Sequence, residues 1–212
     1  MADTTIIPPS GARRTQAERR AESGRGLVRS AIEVTAEQGV SAATFENIGR
    51  RGGYSRSLVT RRFGSKRGLI DAVIRYLHDH RTALAIEHGV DRLPGLEALL
   101  ADTDLYLRSL ATQGELRAYF MLLASAVADL SDVRAAFAEA HEQVRERLRD
   151  FVRRGQAEGG VRPDLDADAA ALMVGSLQLG LSLQMIVDPT MDLDPIRETS
   201  LATLRLSFEA RR

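Results

Sequence analysis

The chain has 212 residues, 44% of them hydrophobic, which is enough to bury a sizeable core in one large domain or two small ones. It has no cysteine, which excludes a disulfide scaffold, a thiolate-ligated zinc, an iron–sulfur cluster and a cysteine nucleophile. Formal charge is zero, yet residues 1–67 hold 13 basic against 6 acidic side chains, and residues 68–212 hold 16 against 23. That split predicts a basic N-terminal module that meets a polyanion, and a body with a different task.

Residues 1–14 contain two prolines, a glycine and no periodicity, and are expected to be a disordered tail. Ile6-Ile7 run into Pro8-Pro9 and then arginines, so no secretory signal is legible and a cytoplasmic protein is expected. Beyond the tail an all-α fold of about nine helices is predicted. The first helix spans roughly 15–38, with Leu27, Val28, Ala31, Ile32 and Thr35 on one face and Gly39 as its stop. Gly24 and Gly26 are expected to weaken its N-terminal half. Thr44 caps a short helix over 45–51, and Gly52-Gly53 form a turn. Ser55 caps a second short helix over 56–62, Gly64 stops it, and Ser65 caps a fourth helix bearing Leu69, Ile70, Val73, Ile74 and Leu77. Further helices are predicted at about 95–112, 115–129, 132–158, 166–187 and 194–210. The change in charge balance and helix length puts the expected boundary between the basic unit and the body after residue 67, giving units over 15–67 and 68–212.

Residues 169–187 run 19 positions without a charge, the length of a membrane span. Gln178, Gln184, Ser176 and Ser182 interrupt the run, and its flanks are acidic rather than basic or aromatic. A helix apolar on most sides needs cover on most sides. A second subunit over Leu172, Gly175, Ser176, Leu179, Gly180 and Leu183 is the expected cover, and a central helix of a monomer is the alternative.

The two short helices with a Gly-Gly turn between them have helix-turn-helix spacing. In the second, Leu58, Val59 and Phe63 form the apolar side, leaving Arg56, Ser57, Thr60 and Arg61 outward. Guanidinium forks and hydroxyls suit phosphate oxygens and guanine edges. Lys66 follows at a helix N-terminus, where free N–H groups also favour phosphate.

From Leu27 to Leu77 the chain resembles the DNA-binding domain of the TetR family of bacterial transcriptional regulators. The matching residues are Ala31, Gly39, Thr44, Ile48, Gly53, Ser55, Phe63, Ser65, Lys66 and Leu69. The resemblance implies a homodimeric repressor released from a palindromic operator by a small molecule, with residues 15–67 as its DNA-binding domain and residues 68–212 as its ligand-binding and dimerisation domain. It places Thr44, Ser55, Arg56, Ser57, Thr60, Arg61, Arg62 and Lys66 on duplex DNA. Arg56, Ser57 and Arg61 are the candidates for base edges, and Thr44, Thr60, Arg62 and Lys66 those for phosphates. Thr60 and Arg62 stand where the family usually has Tyr and His. Gly49 and Gly52 replace the usual Ala, and Tyr54 a small aliphatic; the glycines are expected to loosen the turn. Arg13, Arg14, Arg19 and Arg20 could form a DNA-contacting arm.

The family's effector cavity lies among the middle helices, where Tyr106, Tyr119, Phe120, Met121, Phe137 and His141 are the candidates for lining it. His78 and His80, at i and i+2, point to different helix faces and do not form a metal pair. No Gly-rich phosphate loop, G-x-S-x-G or H-E-x-x-H is present, so neither catalysis nor a cofactor is expected. The alternative function is a helical protein-interaction module whose basic end binds an acidic partner.

Overall fold

The computed structural model describes residues 15–112, 114–129 and 132–210. The described residues form α1 (Gln16–Gln38), α2 (Phe45–Gly52), α3 (Arg56–Phe63), α4 (Lys66–Glu87), α5 (Gly95–Thr112), α6 (Gly114–Ala128), α7 (Arg134–Ala157), α8 (Ala167–Val187) and α9 (Leu193–Phe208). Single 3-10 turns over Val40–Ala42 and Val90–Arg92 lead into α2 and α5. One antiparallel bridge, Val161 with Glu209, ties the end of α9 to the α7–α8 loop, supported by Arg162 N–H to the Phe208 carbonyl at 2.9 Å.

Each short helix begins where a hydroxyl can take a free backbone N–H. Thr44 accepts from Asn47 N at 3.2 Å, Ser55 from Leu58 N at 3.3 Å and Ser65 from Gly68 N at 3.1 Å. Gly53, at φ 72°, ends α2 in the left-handed region, which costs glycine nothing. Leu27, Val28, Ala31 and Ile32 of α1 and Leu69, Ile70, Val73 and Ile74 of α4 join Ile48, Val59 and Phe63 in one buried cluster. The same cluster continues through Tyr106, Tyr119, Phe120 and Phe137, so the short helices rest on the body through one interior. A second cluster, from Ala85 to Phe208, joins α5, α7, α8 and α9.

The glycines do not loosen the turn. A Cβ on Gly52 would sit 2.7 Å from Tyr54 Cδ2, one on Gly26 2.6 Å from Tyr54 Oη, and one on Gly49 2.7 Å from the Tyr54 carbonyl oxygen. The Tyr54 ring therefore fills the space that Gly26 and Gly52 leave, while Gly49 makes room for the backbone at residue 54. Gly24 likewise makes room for the Arg62 guanidinium, 2.9 Å from where its Cβ would stand. The N-terminal half of α1 thus uses glycine for close packing, and the helix is continuous from Gln16. Arg51 fastens α2 to α1 through Glu33 at 2.8 Å and Glu37 at 2.5 Å.

At the other end of the molecule, α5 starts against α7. A Cβ on Gly95 would meet Gly155 N at 2.1 Å, the Phe151 carbonyl oxygen at 2.4 Å and Gly155 Cα at 2.6 Å, all backbone atoms that cannot rotate away. Gly95→Ala is expected to destabilise the fold by about 1–3 kcal/mol despite alanine's better helix propensity. Gly114→Ala, whose Cβ would meet nothing within 4 Å, is expected to be neutral or slightly stabilising. Thermal melting of the two variants checks the contrast.

Candidate nucleic-acid interface and internal cavity

On α3 the 3.6-residue period turns Val59 and Phe63 into the core and leaves Leu58 half-buried. Arg56, Ser57, Thr60, Arg61 and Arg62 are exposed, as are Thr44, Ser55 and Lys66 beside them. Among the described residues, Arg56, Arg61, Arg62 and Lys66 have no ion-pair partner, so their charges are directed at solvent. The hydroxyls are partly used: Thr60 Oγ1 donates to the Arg56 carbonyl at 3.0 Å, and Ser55 Oγ lies 3.0 Å from Ser57 Oγ. Thr44 spends only its oxygen lone pair on Asn47 N–H, so its O–H can still donate. Arg62 folds back over Gly24, which places it at the edge of the surface rather than on its crest. Arg13 and Arg14 lie outside the described residues; of Arg19 and Arg20 only the helical backbone is described.

The body holds a cavity of about 270 Å³ among α4, α5, α6, α7 and α8. Of the six candidates, Tyr106, Tyr119, Phe120 and His141 border it. Met121 and Phe137 do not. Phe137 is a core residue, 2% exposed, and packs edge-on against Tyr119 with ring centroids 5.3 Å apart. The sequence reading missed the polar half of the lining. Arg81 on α4 binds Asp102 on α5 at 2.5 Å, and Arg147 on α7 binds the other carboxylate oxygen at 3.1 Å. Arg81 Nη2 also reaches Gln178 Oε1 on α8 at 3.4 Å, and its guanidinium stands over the Tyr106 ring, 4.9 Å from the centroid. Tyr106 Oη and Ser182 Oγ share a hydrogen bond of 2.6 Å. His78 and His80 border the same cavity, His78 half-buried and His80 exposed.

Burial sets the charge states. Burial, with Arg81 and His141 adding to it, holds the His78 imidazole below its ordinary range; burial alone does the same to His141. Burial also pushes the Tyr106 and Tyr119 hydroxyls up, so both stay neutral. Burial opposes the Arg81 cation, but Asp102 outweighs it and the group stays charged. For a histidine whose pKa is depressed on folding, the stabilising contribution is complete above the unfolded value, about 6.5. It is lost as pH falls below that value through the folded one. The melting temperature is therefore expected to fall on acidification below about pH 6.5, and His78→Asn with His141→Asn is expected to flatten that slope.

Residues 95–208 match the family model for the BetI-type transcriptional repressor, C-terminal, and residues 27–73 match that for bacterial regulatory proteins, tetR family. The chain belongs to the tetR family. It is a DNA-binding transcriptional regulator, and its α2–turn–α3 unit is the family's helix-turn-helix. No curated protein matches it in sequence. Solved structures similar to this tetR-family chain include a Rhodococcus sp. protein assigned to the TetR-family transcriptional regulators, at TM-score 0.78 and 19% identity over 89% of this chain and 100% of that one. SmeT, the repressor of the Stenotrophomonas maltophilia multidrug efflux pump SmeDEF, aligns at TM-score 0.71 and 22% identity, over 88% and 90% of the two chains. NalD, the secondary repressor of the MexAB-OprM multidrug efflux pump in Pseudomonas aeruginosa, aligns at 0.69 and 20%, over 89% and 98%. At these identities the likeness is one of fold.

In this tetR-family chain α8 is long and apolar enough to cross a membrane, yet it packs against α5, α6 and α7 and buries Ala170, Ala171, Val174, Gln178 and Ser182. Its other side leaves Leu172 56%, Met173 49%, Leu183 39% and Val187 81% exposed, and Leu206 of α9 is 83% exposed. Of the predicted interface residues, Ser176 and Gly180 are also exposed, whereas Gly175 and Leu179 are half-buried and border the cavity with Leu172 and Ser176.

Proposed function

We propose that the protein is a cytoplasmic homodimeric repressor that binds a palindromic operator and leaves it when a small molecule fills the body cavity. The unpaired, outward cationic face of α3 carries the DNA reading, because a duplex supplies the counter-charge that face lacks. Arg56 and Arg61 project where guanidinium forks can reach guanine O6 and N7, with Ser57 between them. Thr44, Thr60, Arg62 and Lys66 serve the phosphates on either side. Ser55 acts chiefly as the cap that sets the pitch of α3.

Dimerisation follows from the apolar sides of α8 and α9. A row of exposed Leu, Met and Val on the last two helices is an apolar patch that a twofold copy would cover. Such a pair presents two α3 helices to successive major-groove faces roughly 34–36 Å apart, or at a multiple of that spacing. The cavity touches both α4, which continues from the helix-turn-helix, and α8, which faces the partner. A ligand there changes the angle between reading head and dimer interface, and by linkage DNA weakens ligand binding by the same factor.

Salt titration on duplex DNA tests the DNA reading. Two phosphate-directed cations per protomer, Arg62 and Lys66, predict a log K against log salt slope of about −4 or steeper in the dimer. A flat response, or equal affinity for an acidic polypeptide, would favour a protein-interaction module.

A further inference from the structure

The cavity's chemistry narrows the molecule it can take, an inference that rests on its role as the effector site. Two of the polar atoms in its lining are buried without a partner: Gln178 Nε2 and Arg145 Nε. Both are donors. Gln178 is 3% exposed, and its amide cannot be turned round, because Oε1 faces Arg81 and a guanidinium accepts nothing. The Nε2 donor is therefore fixed, and an acceptor from the occupant would relieve a desolvated amide.

The guanidinium and carboxylate groups bordering the cavity are already paired with one another. Arg81 is neutralised by Asp102 at 2.5 Å, and Arg145 by Glu142 at 2.6 Å. Of the aromatic faces that could take a cation, Tyr106 is covered by Arg81 at 4.9 Å, and Tyr119 and Phe120 pack edge-on against each other with centroids 5.0 Å apart. The remaining wall is mainly apolar, including Leu77, Leu84, Leu105, Leu116, Phe120 and Leu179, with the hydroxyls of Ser109, Tyr119 and Ser176 and the imidazoles of His78, His80 and His141 as its other polar groups. A carboxylate or an ammonium entering this site would give up part of its hydration and find each guanidinium and carboxylate already matched by a neighbour of opposite sign. At about 270 Å³ the space falls just below the usual range of small-molecule sites, about 300–1,000 Å³, so its occupant is small.

We infer that the effector is an uncharged, mainly apolar small molecule bearing a carbonyl acceptor that takes the Gln178 side-chain N–H. Two features distinguish this from a generic greasy pocket: the acceptor is required, and either sign of net charge is rejected.

The test uses the full-length, DNA-free protein and three probes with one chain and different heads: methyl octanoate, octanoate and octyltrimethylammonium, titrated by calorimetry at neutral pH. Methyl octanoate is expected to bind at least tenfold more tightly than either ion. Gln178→Glu, which replaces the donor by an acceptor that Arg81 can still hold, is expected to lose that tenfold advantage. Gln178→Leu, which removes the unpaired amide and keeps the volume, is expected to fold and to bind methyl octanoate no better than octane. Octanoate or octyltrimethylammonium binding as tightly as the ester would overturn the assignment, and so would binding of none of the three, or an ester affinity unchanged in both variants. Because no DNA is present, failure here is separate from failure of operator release, which is read by adding methyl octanoate to the DNA complex.

Discussion

Asp102→Ala is expected to cost about 3 kcal/mol or more of folding stability, from the range of about 3–5 kcal/mol for removing one partner of a buried ion pair. Asp102 is the shared counter-ion of Arg81 and Arg147, and its side chain is 2% exposed. Removing it leaves one guanidinium at the cavity wall and another between α5 and α7. The lower end of the range applies because Arg147 keeps Asp91 at 3.3 Å and Arg81 keeps Gln178 and the Tyr106 ring. The urea midpoint should drop with an unchanged m value. Replacing Arg81 by Met together with Asp102 by Leu should recover much of the loss, since an apolar pair of similar volume needs no solvation. A loss below about 1 kcal/mol in the single variant would show that the triad does not hold α4, α5 and α7 together.

The second large effect is on DNA. Arg56→Ala combined with Arg61→Ala is expected to cost about 2–6 kcal/mol per half-site on the preferred duplex, from about 1–3 kcal/mol for each bidentate base contact. Non-specific affinity should fall much less, because Arg62 and Lys66 remain. Stability should change by no more than about 0.5 kcal/mol, since both side chains are exposed and unpaired. A variant that binds its selected site as before would remove both arginines from base readout.

Much of this architecture is legible in local pattern. The i, i+4 apolar spacing of Leu27, Ala31 and Ile32, and of Leu69, Val73 and Leu77, marks two helix faces that are buried in the structure. Thr44, Ser55 and Ser65 mark three helix starts because a hydroxyl there has a local job, and all three do that job. What pattern does not show is compensation between distant positions. Gly26 and Gly52 read singly as weak points; only in space does each prove to be the complement of the Tyr54 ring.

The cavity was half legible for a related reason. Tyr119 and Phe137 are both aromatic residues at helical spacing, yet one borders the cavity and the other fills the core behind it. Arg81 and Asp102 look like ordinary solvated helix positions, and Gln178 like a break in an apolar run, until three helices bring them together. On α8 the uncharged run has no polar side to mark its boundary, so the face assigned from sequence mixes the outward Leu172 and Leu183 with the half-buried Gly175 and Leu179.

The central claim, that paired copies present two α3 helices to one duplex, is tested most directly by selecting bound DNA from a random pool. The account predicts enrichment of a palindrome whose half-sites are centred about 10 bp apart or a multiple of that, lost in the Arg56→Ala, Arg61→Ala variant. Recovery of no common sequence, or of a single unpaired half-site bound by one subunit, would contradict it.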